Sequence, residues 1–193
     1  MRLNTRMNHK GKLKATDFAE CAIFIVLMVV STYIQIPFPL VPLTFQTVTA
    51  VLCGLLLGWK KGVISTSIYC FMGLVGLPVF SAGGGIYYIF KPSFGYILGF
   101  ILSAAVGGLI VNKKEASTRR YIAAGIFAFL ADYAIGIPYC MVLARLMNMQ
   151  NLTSLFITGN LIYMPKDLVL SILAALLAKT ISPAIRKRRR DTV

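Results

Sequence analysis

Charged side chains inside apolar stretches are where chemistry is first sought in this chain, because a charge at membrane depth is costly and marks a function or a specific partner. Four residues qualify: Asp132, Arg145 and the neighbouring Lys166 and Asp167. Pro165 suits the first residue of a helix, since its fixed φ is already helical and its missing N–H is not needed there. A helix opening with Met164, Pro165, Lys166 and Asp167 gathers one cation, one anion and free backbone N–H groups at one point. That combination can hold an anion or a polar ring. Asp167 also fits a plainer role, complementing the helix dipole. Asp132 stands on a ladder of small residues and so faces protein, as a hydrogen-bonded tie between helices or as a ligand contact. Arg145 lies near a helix end, where it can snorkel to the interface.

Two loops carry further polar and flexible chemistry. The first runs through Pro37, Pro39 and Pro42 without a charge and ends in Thr44, Gln46 and Thr47 at the start of a helix. The second contains Ser81, then Gly83, Gly84 and Gly85, then Tyr87 and Tyr88, with Tyr96 shortly after. Consecutive glycines permit a tight cover and a close approach of a ligand to main-chain N–H groups, or simply a flexible loop. The tyrosines offer flat apolar faces with hydroxyl handles. Both loops and the Lys166–Asp167 pair converge on one end, the geometry for a small organic ligand taken from outside.

The elements that must position these groups are membrane helices. Of 193 residues, 58% are hydrophobic and 13% charged, and the mean hydropathy is +0.77. A chain so apolar is not a water-soluble globule, a disordered segment or a disulfide scaffold. A bilayer span takes ~20 apolar residues, so the length suffices for one six-helix domain. The spans expected are 18–36, 44–59, 62–80, 94–111, 121–147 and 164–181, an all-α polytopic domain over 18–182. Basic tails over 1–17 and 183–193 flank it. The first apolar run follows basic residues as in a signal peptide, but it lacks a small-residue cleavage site and reads as a retained helix.

Most of the 20 basic residues cluster on one side of these spans. They sit in the N-terminal tail from Arg2 to Lys14, at Lys60 and Lys61, at Lys113, Lys114, Arg119 and Arg120, at Lys179, and from Arg186 to Arg190. Only Lys91 falls in an opposite loop. This positive-inside bias predicts cytoplasmic termini, with Trp59 as an interfacial anchor, and it accounts for the net charge of +14 without nucleic acid. Small residues at four-residue spacing, such as Ala50 and Gly54, Gly95, Gly99, Ser103 and Gly107, or Ala124 and Ala128, predict close helix packing. The isolated cysteines Cys21, Cys53, Cys70 and Cys140 and the lone His9 suggest neither metal ligation nor disulfides. No phosphate-binding loop, zinc-protease motif or nucleophile elbow occurs in the sequence. The chain is therefore read as a non-enzyme, and active uptake must draw energy from another chain or an ion gradient.

With these residues in view, the chain resembles the BioY family, the biotin-binding S components of energy-coupling factor (ECF) transporters. The resemblance runs from about Ser31 to Ala178. It rests on Ile36-Pro37 through Pro42-Leu43-Thr44-Phe45-Gln46-Thr47, Gly73-Leu74-Val75-Gly76-Leu77-Pro78-Val79-Phe80, the glycine cluster, Pro92-Ser93-Phe94-Gly95-Tyr96, Gly136-Ile137-Pro138-Tyr139 and Pro165-Lys166-Asp167-Leu168. It implies a six-helix S-component fold in a bacterial cytoplasmic membrane, with biotin as cargo and no cofactor. It also implies a transmembrane T subunit and two ATP-binding cassette ATPases as partners. Biotin's ureido ring would take donors and acceptors from Asp167, Gln46, Asn160 and loop backbone, and its carboxylate a cation or N–H dipoles. The family pattern has Gly before the aspartate and Lys three residues after it, where this chain has Lys166 and Leu170, so the cation is displaced. A small-residue docking surface on the first helix would fall on Ala15, Ala19 and Ala22. The alternatives are an S component for another vitamin, or a self-sufficient ion-coupled transporter with Asp132 as its coupling carboxylate.

Overall fold

The structure, a computed structural model, describes residues 15–36, 42–111, 116–149 and 156–191. The cations of the N-terminal tail, Lys113 and Lys114, and the stretch from Pro37 to Val41 lie outside the described residues. Six helices carry the described fold: α1 Ala15–Tyr33, α2 Gln46–Leu57, α3 Trp59–Leu74, α4 Phe94–Val111, α5 Thr118–Leu146 and α6 Met164–Asp191.

Four of these are long and apolar enough to cross a bilayer: Ala15–Tyr33, Phe94–Val111, Thr118–Leu146 and Met164–Ile185. Helix α2 has 12 residues, about 18 Å at the helical rise, and so falls short of a hydrocarbon core ~30 Å thick. Helix α3, with 16 residues, reaches about 24 Å. Their shortness has a local cause at Gly58, whose φ of 80° and ψ of 167° end one helix and begin the next within a single residue. Side chains rarely tolerate that conformation. The Gly58 N–H closes α2 on the Gly54 carbonyl, and the Gly62 N–H opens α3 on the Gly58 carbonyl.

Helix α1 stops at Tyr33, before the expected Ile36, because Pro37 disfavours helical backbone at the residue preceding it. Gln35–Ile36 (β1) instead pairs antiparallel with Leu43–Thr44 (β2), Gln35 opposite Thr44. This small hairpin was not foreseen. Helix α3 likewise ends at Leu74 instead of Phe80, and the following chain folds back over the bundle. Phe80 and Gly83 form a tight bridge, the Gly85 N–H donates to the Gly73 carbonyl over 2.7 Å, and a 3₁₀ turn at Ile86–Phe90 leads into α4.

Helix α4 is the most enclosed of the four long helices and packs most extensively on α5, with α2 and α3 on its other sides. At the end carrying Trp59 to Lys61 the backbones nearly touch. A Cβ on Gly54 would lie 2.3 Å from the Ala104 carbonyl oxygen, and one on Gly108 2.3 Å from the Trp59 nitrogen. Ala124, Ala128, Ala174, Ala175 and Ala178 fill the interior there. At the same end Lys61 holds α1 through Asp17 at 2.8 Å and Glu20 at 2.5 Å. Large apolar side chains including Phe18, Val26, Phe71, Phe127, Val142 and Leu173 are exposed on the outside, as contact with lipid requires.

Candidate functional site

Opposite the tightly packed end, aromatic side chains hold the helices apart. Tyr96 of α4 and Tyr133 of α5 meet edge to face at 5.4 Å, and Phe129 lies 4.7 Å from Tyr133. Bulky rings prevent the close approach seen among the alanines, and a cavity opens between them. Its empty volume is about 500 Å³, part of it open to solvent. Rings of Tyr88, Tyr96, Phe100, Tyr133 and Tyr163 wall it, and Thr44, Gln46, Thr47, Ser81, Ser93 and Asp167 supply polar atoms. A largely apolar chamber with a few placed polar groups is the form of a small-molecule site.

Each polar group is oriented by a partner. The Tyr133 hydroxyl donates to Asp167 Oδ2 over 2.7 Å, and Lys166 Nζ lies 2.7 Å from Asp167 Oδ1. Lys166 also donates to the Thr44 carbonyl at 2.8 Å, with its ammonium 5.3 Å from the centre of the Phe45 ring. The start of α6 is thereby fastened to the hairpin and to α2. Gln46 donates to the Tyr69 hydroxyl at 2.5 Å, and Tyr69 donates to the Val79 carbonyl at 2.9 Å. Tyr96 donates to the fully buried Asn160 Oδ1.

The cover is tied down from several directions. Tyr33 donates to the Pro78 carbonyl, Gln35 to the Ser81 carbonyl and Lys91 to the Ala82 carbonyl. The hydroxyls of Ser81 and Tyr88 lie 2.9 Å apart, and Lys91 sits 4.9 Å from the Tyr88 ring centre.

Of the residues singled out by sequence, Gln46, Ser81, Tyr88, Tyr96 and Asp167 line this one cavity. Asn160 stands behind Tyr96, and Lys166 sits at the rim on Asp167. Gly83, Gly84 and Gly85 are not among its lining residues. The Gly83 N–H goes to the Phe80 carbonyl and the Gly85 N–H to Gly73, while Gly84 packs against the Leu77 carbonyl. These glycines shape the cover. Tyr87 is 81% exposed and points away. Ala15, Ala19 and Ala22 are exposed on α1, with Ala15 and Ala19 flanking the Asp17 that meets Lys61. Sequence reasoning missed Tyr133, Tyr163, Phe100, Ile97 and Ser93 as lining residues. The available signal for Tyr133 was its place beside Asp132, and for Tyr163 its place just before Met164-Pro165. Among the described residues, no group of three or more His, Cys, Asp or Glu is arranged to hold a metal.

A helical bundle with an apolar exterior and a covered, aromatic-walled chamber defines a membrane protein that binds a small molecule. The BioY family model matches residues 6–187, and the chain belongs to the BioY family. It is 40% identical over 171 residues to the protein of Lysinibacillus sphaericus named probable biotin transporter BioY, covering 87% of each chain. It is 40% identical over 119 residues to the biotin transporter BioY of Thermotoga maritima, covering 61% of this chain and 70% of that one. With the probable biotin transporter BioY of Pyrococcus horikoshii it shares 34% identity, covering 86% of this chain and 96% of the other. Among solved structures, the S-component for biotin from an ECF-type ABC transporter superposes with a TM-score of 0.64 over 92% of this chain and 95% of that chain. At 21% identity this likeness shows a shared fold.

Proposed function

We propose that this chain binds biotin and serves as the substrate-specific S component of an ECF-type importer. The observation that carries the reading is the cavity in which Asp167, Gln46, Ser81 and Tyr96 converge between aromatic walls. Biotin joins a ureido ring, which needs paired donors and acceptors, to an apolar thiophane and an alkyl chain ending in a carboxylate. Asp167 and Gln46 suit the ring, Tyr88, Tyr96, Phe100 and Tyr133 suit the apolar parts, and Lys166 at the rim suits the carboxylate.

In this reading the six helices all take part in the membrane domain, α2 and α3 as a short pair hinged at Gly58. The end with Lys60, Lys61, Arg119, Arg120 and Lys179 faces the cytoplasm, and the covered end faces outward. The exposed Ala15, Ala19 and Ala22 belong to the surface that meets the T subunit, and two ATPase subunits supply the energy.

Titration of the purified chain with biotin tests this directly. One molecule bound per chain is expected, with the affinity about 100-fold weaker in Asp167→Asn. Stabilisation by a different vitamin, with none by biotin, would redirect the specificity. Uptake into vesicles lacking any ATPase would replace the importer reading with an ion-coupled transporter.

A further inference from the structure

Helix α1 packs on α2 and α3 and turns the rest of its surface outward. It is apolar on both sides: Cys21, Phe24 and Met28 are buried, whereas Phe18, Ile23, Val26 and Leu27 are exposed. Lipid tails are as apolar as these side chains, so burying apolar surface does not distinguish one face of such a helix from another. The buried apolar contact at the Trp59 end is small, Cys21 and Phe24 clustered with Cys53 and Leu57. Fixing the rotation of α1 about its own axis therefore falls to polar contacts.

Those contacts lie at its two ends. At the covered end the Thr32 hydroxyl is 3.1 Å from that of Tyr69, and Tyr33 donates to the Pro78 carbonyl. At the other end Lys61 of α3 meets Asp17 at 2.8 Å and Glu20 at 2.5 Å, with its own side chain only 12% exposed. With about 3.6 residues per turn, Asp17 and Glu20 fall on the same side of α1 as the buried Cys21, Phe24 and Met28. Ala15, Ala19, Ala22 and Val26 fall on the opposite side and are exposed. An ammonium held between two carboxylates makes short, directional bonds. Without that cation, two like charges three residues apart favour a turn of α1 toward water.

We propose that Lys61 is a positioning residue for partner docking: through Asp17 and Glu20 it fixes the rotation of α1 that keeps Ala15, Ala19, Ala22 and Val26 together on the outer face. The partner's identity as a T subunit rests on the proposed function; the setting of the rotation does not. A strip of small residues admits a neighbouring membrane helix only while its members face the same way. A turn to one side or the other puts Phe18 or Ile23 in their place. The cavity is lined by no residue of α1, so ligand affinity does not depend on Lys61.

The test compares wild type, Lys61→Met and Lys61→Arg, the last keeping the charge, in lipid nanodiscs. Three quantities are measured: biotin affinity, association with a T subunit carrying its ATPases, and the lipid-phase oxygen accessibility of a spin label at Ala22→Cys. The four native cysteines are buried, so the label goes to the introduced thiol. Lys61→Met is expected to weaken association about tenfold and to split the label into more than one environment. Lys61→Arg is expected to keep both within about twofold of wild type, and biotin affinity to stay within about twofold throughout. Unchanged association or a single unaltered label environment in Lys61→Met would overturn the proposal. So would an equal loss of association in Lys61→Arg, or a biotin affinity that falls in step with association. If Lys61→Met does not fold, Asp17→Asn combined with Glu20→Gln replaces it under the same outcomes. A wild type that never associates with the module would defeat the importer reading, while the label would still decide whether Lys61 sets the rotation of α1.

Discussion

The two ends of the bundle use the same residue types for opposite purposes. At the Trp59 end, Gly54 and Gly108 let backbones meet, and alanines of α5 and α6 complete a filled interior. At the covered end, Gly136 makes room for the Tyr96 ring, Gly95 for Tyr139 and Gly73 for Phe80. A backbone against a backbone leaves no space between helices. A ring inserted beside a glycine props the next pair of helices apart and leaves a chamber. The difference shows that small-residue ladders by themselves do not say whether a region is packed solid or hollow; the partner across the interface decides it.

This contrast can be broken most severely at the solid end. Gly54→Val places branched carbons against the Ala104 carbonyl, an immobile neighbour. A loss of more than about 3 kcal/mol is expected, at or beyond the upper range for overpacked cores, so folded protein should be nearly absent by size-exclusion and thermal-shift assays. At the hollow end the largest effect is expected from Asp167→Asn, which removes the negative charge that Tyr133 and Lys166 both meet. A loss of biotin affinity of about 100-fold by calorimetry is expected, with the bundle still assembled.

A smaller change sharpens the distinction between wall and support. Tyr96→Phe keeps the ring but strips the hydroxyl that reaches Asn160, a fully buried side chain. An affinity loss of about tenfold is expected from one unsatisfied buried group, with little change in melting temperature. At the bottom of the scale, Tyr87→Ala should alter neither binding nor stability by more than about 0.5 kcal/mol, because the side chain is 81% exposed. A strong loss of binding there would move the site out of the chamber and onto the cover.

Much of this arrangement was legible residue by residue. The starts of α4 and α6 sit where 94 and 164 were expected, because Pro165 permits a first turn and the apolar runs behind both positions are long. Asp167, Gln46 and Tyr96 stood out because polar groups at helix starts beside apolar runs are few. The hairpin of Gln35–Ile36 with Leu43–Thr44 was not visible, since two paired residues on each side leave no alternation to read. Tyr133 and Tyr163 were passed over for a related reason: an aromatic residue inside an apolar helix has the same pattern whether it faces lipid, core or cavity. The glycine run after Ser81 was correctly seen as permissive, but its N–H groups are taken up within the cover by Phe80 and Gly73.

Composition and the linear order of charges by themselves determined that this chain is a helical membrane protein, with its basic clusters gathered between particular spans. Those properties follow from segment length and local charge, which need no knowledge of neighbours. Only the tertiary structure decided that Asp167, Gln46, Ser81 and Tyr96 share a chamber, that Tyr87 does not, and that Asp132 lies fully enclosed. Each of those facts depends on the rotation and crossing of helices distant in sequence, and a change of a few ångströms there turns a lining group into a lipid-facing one.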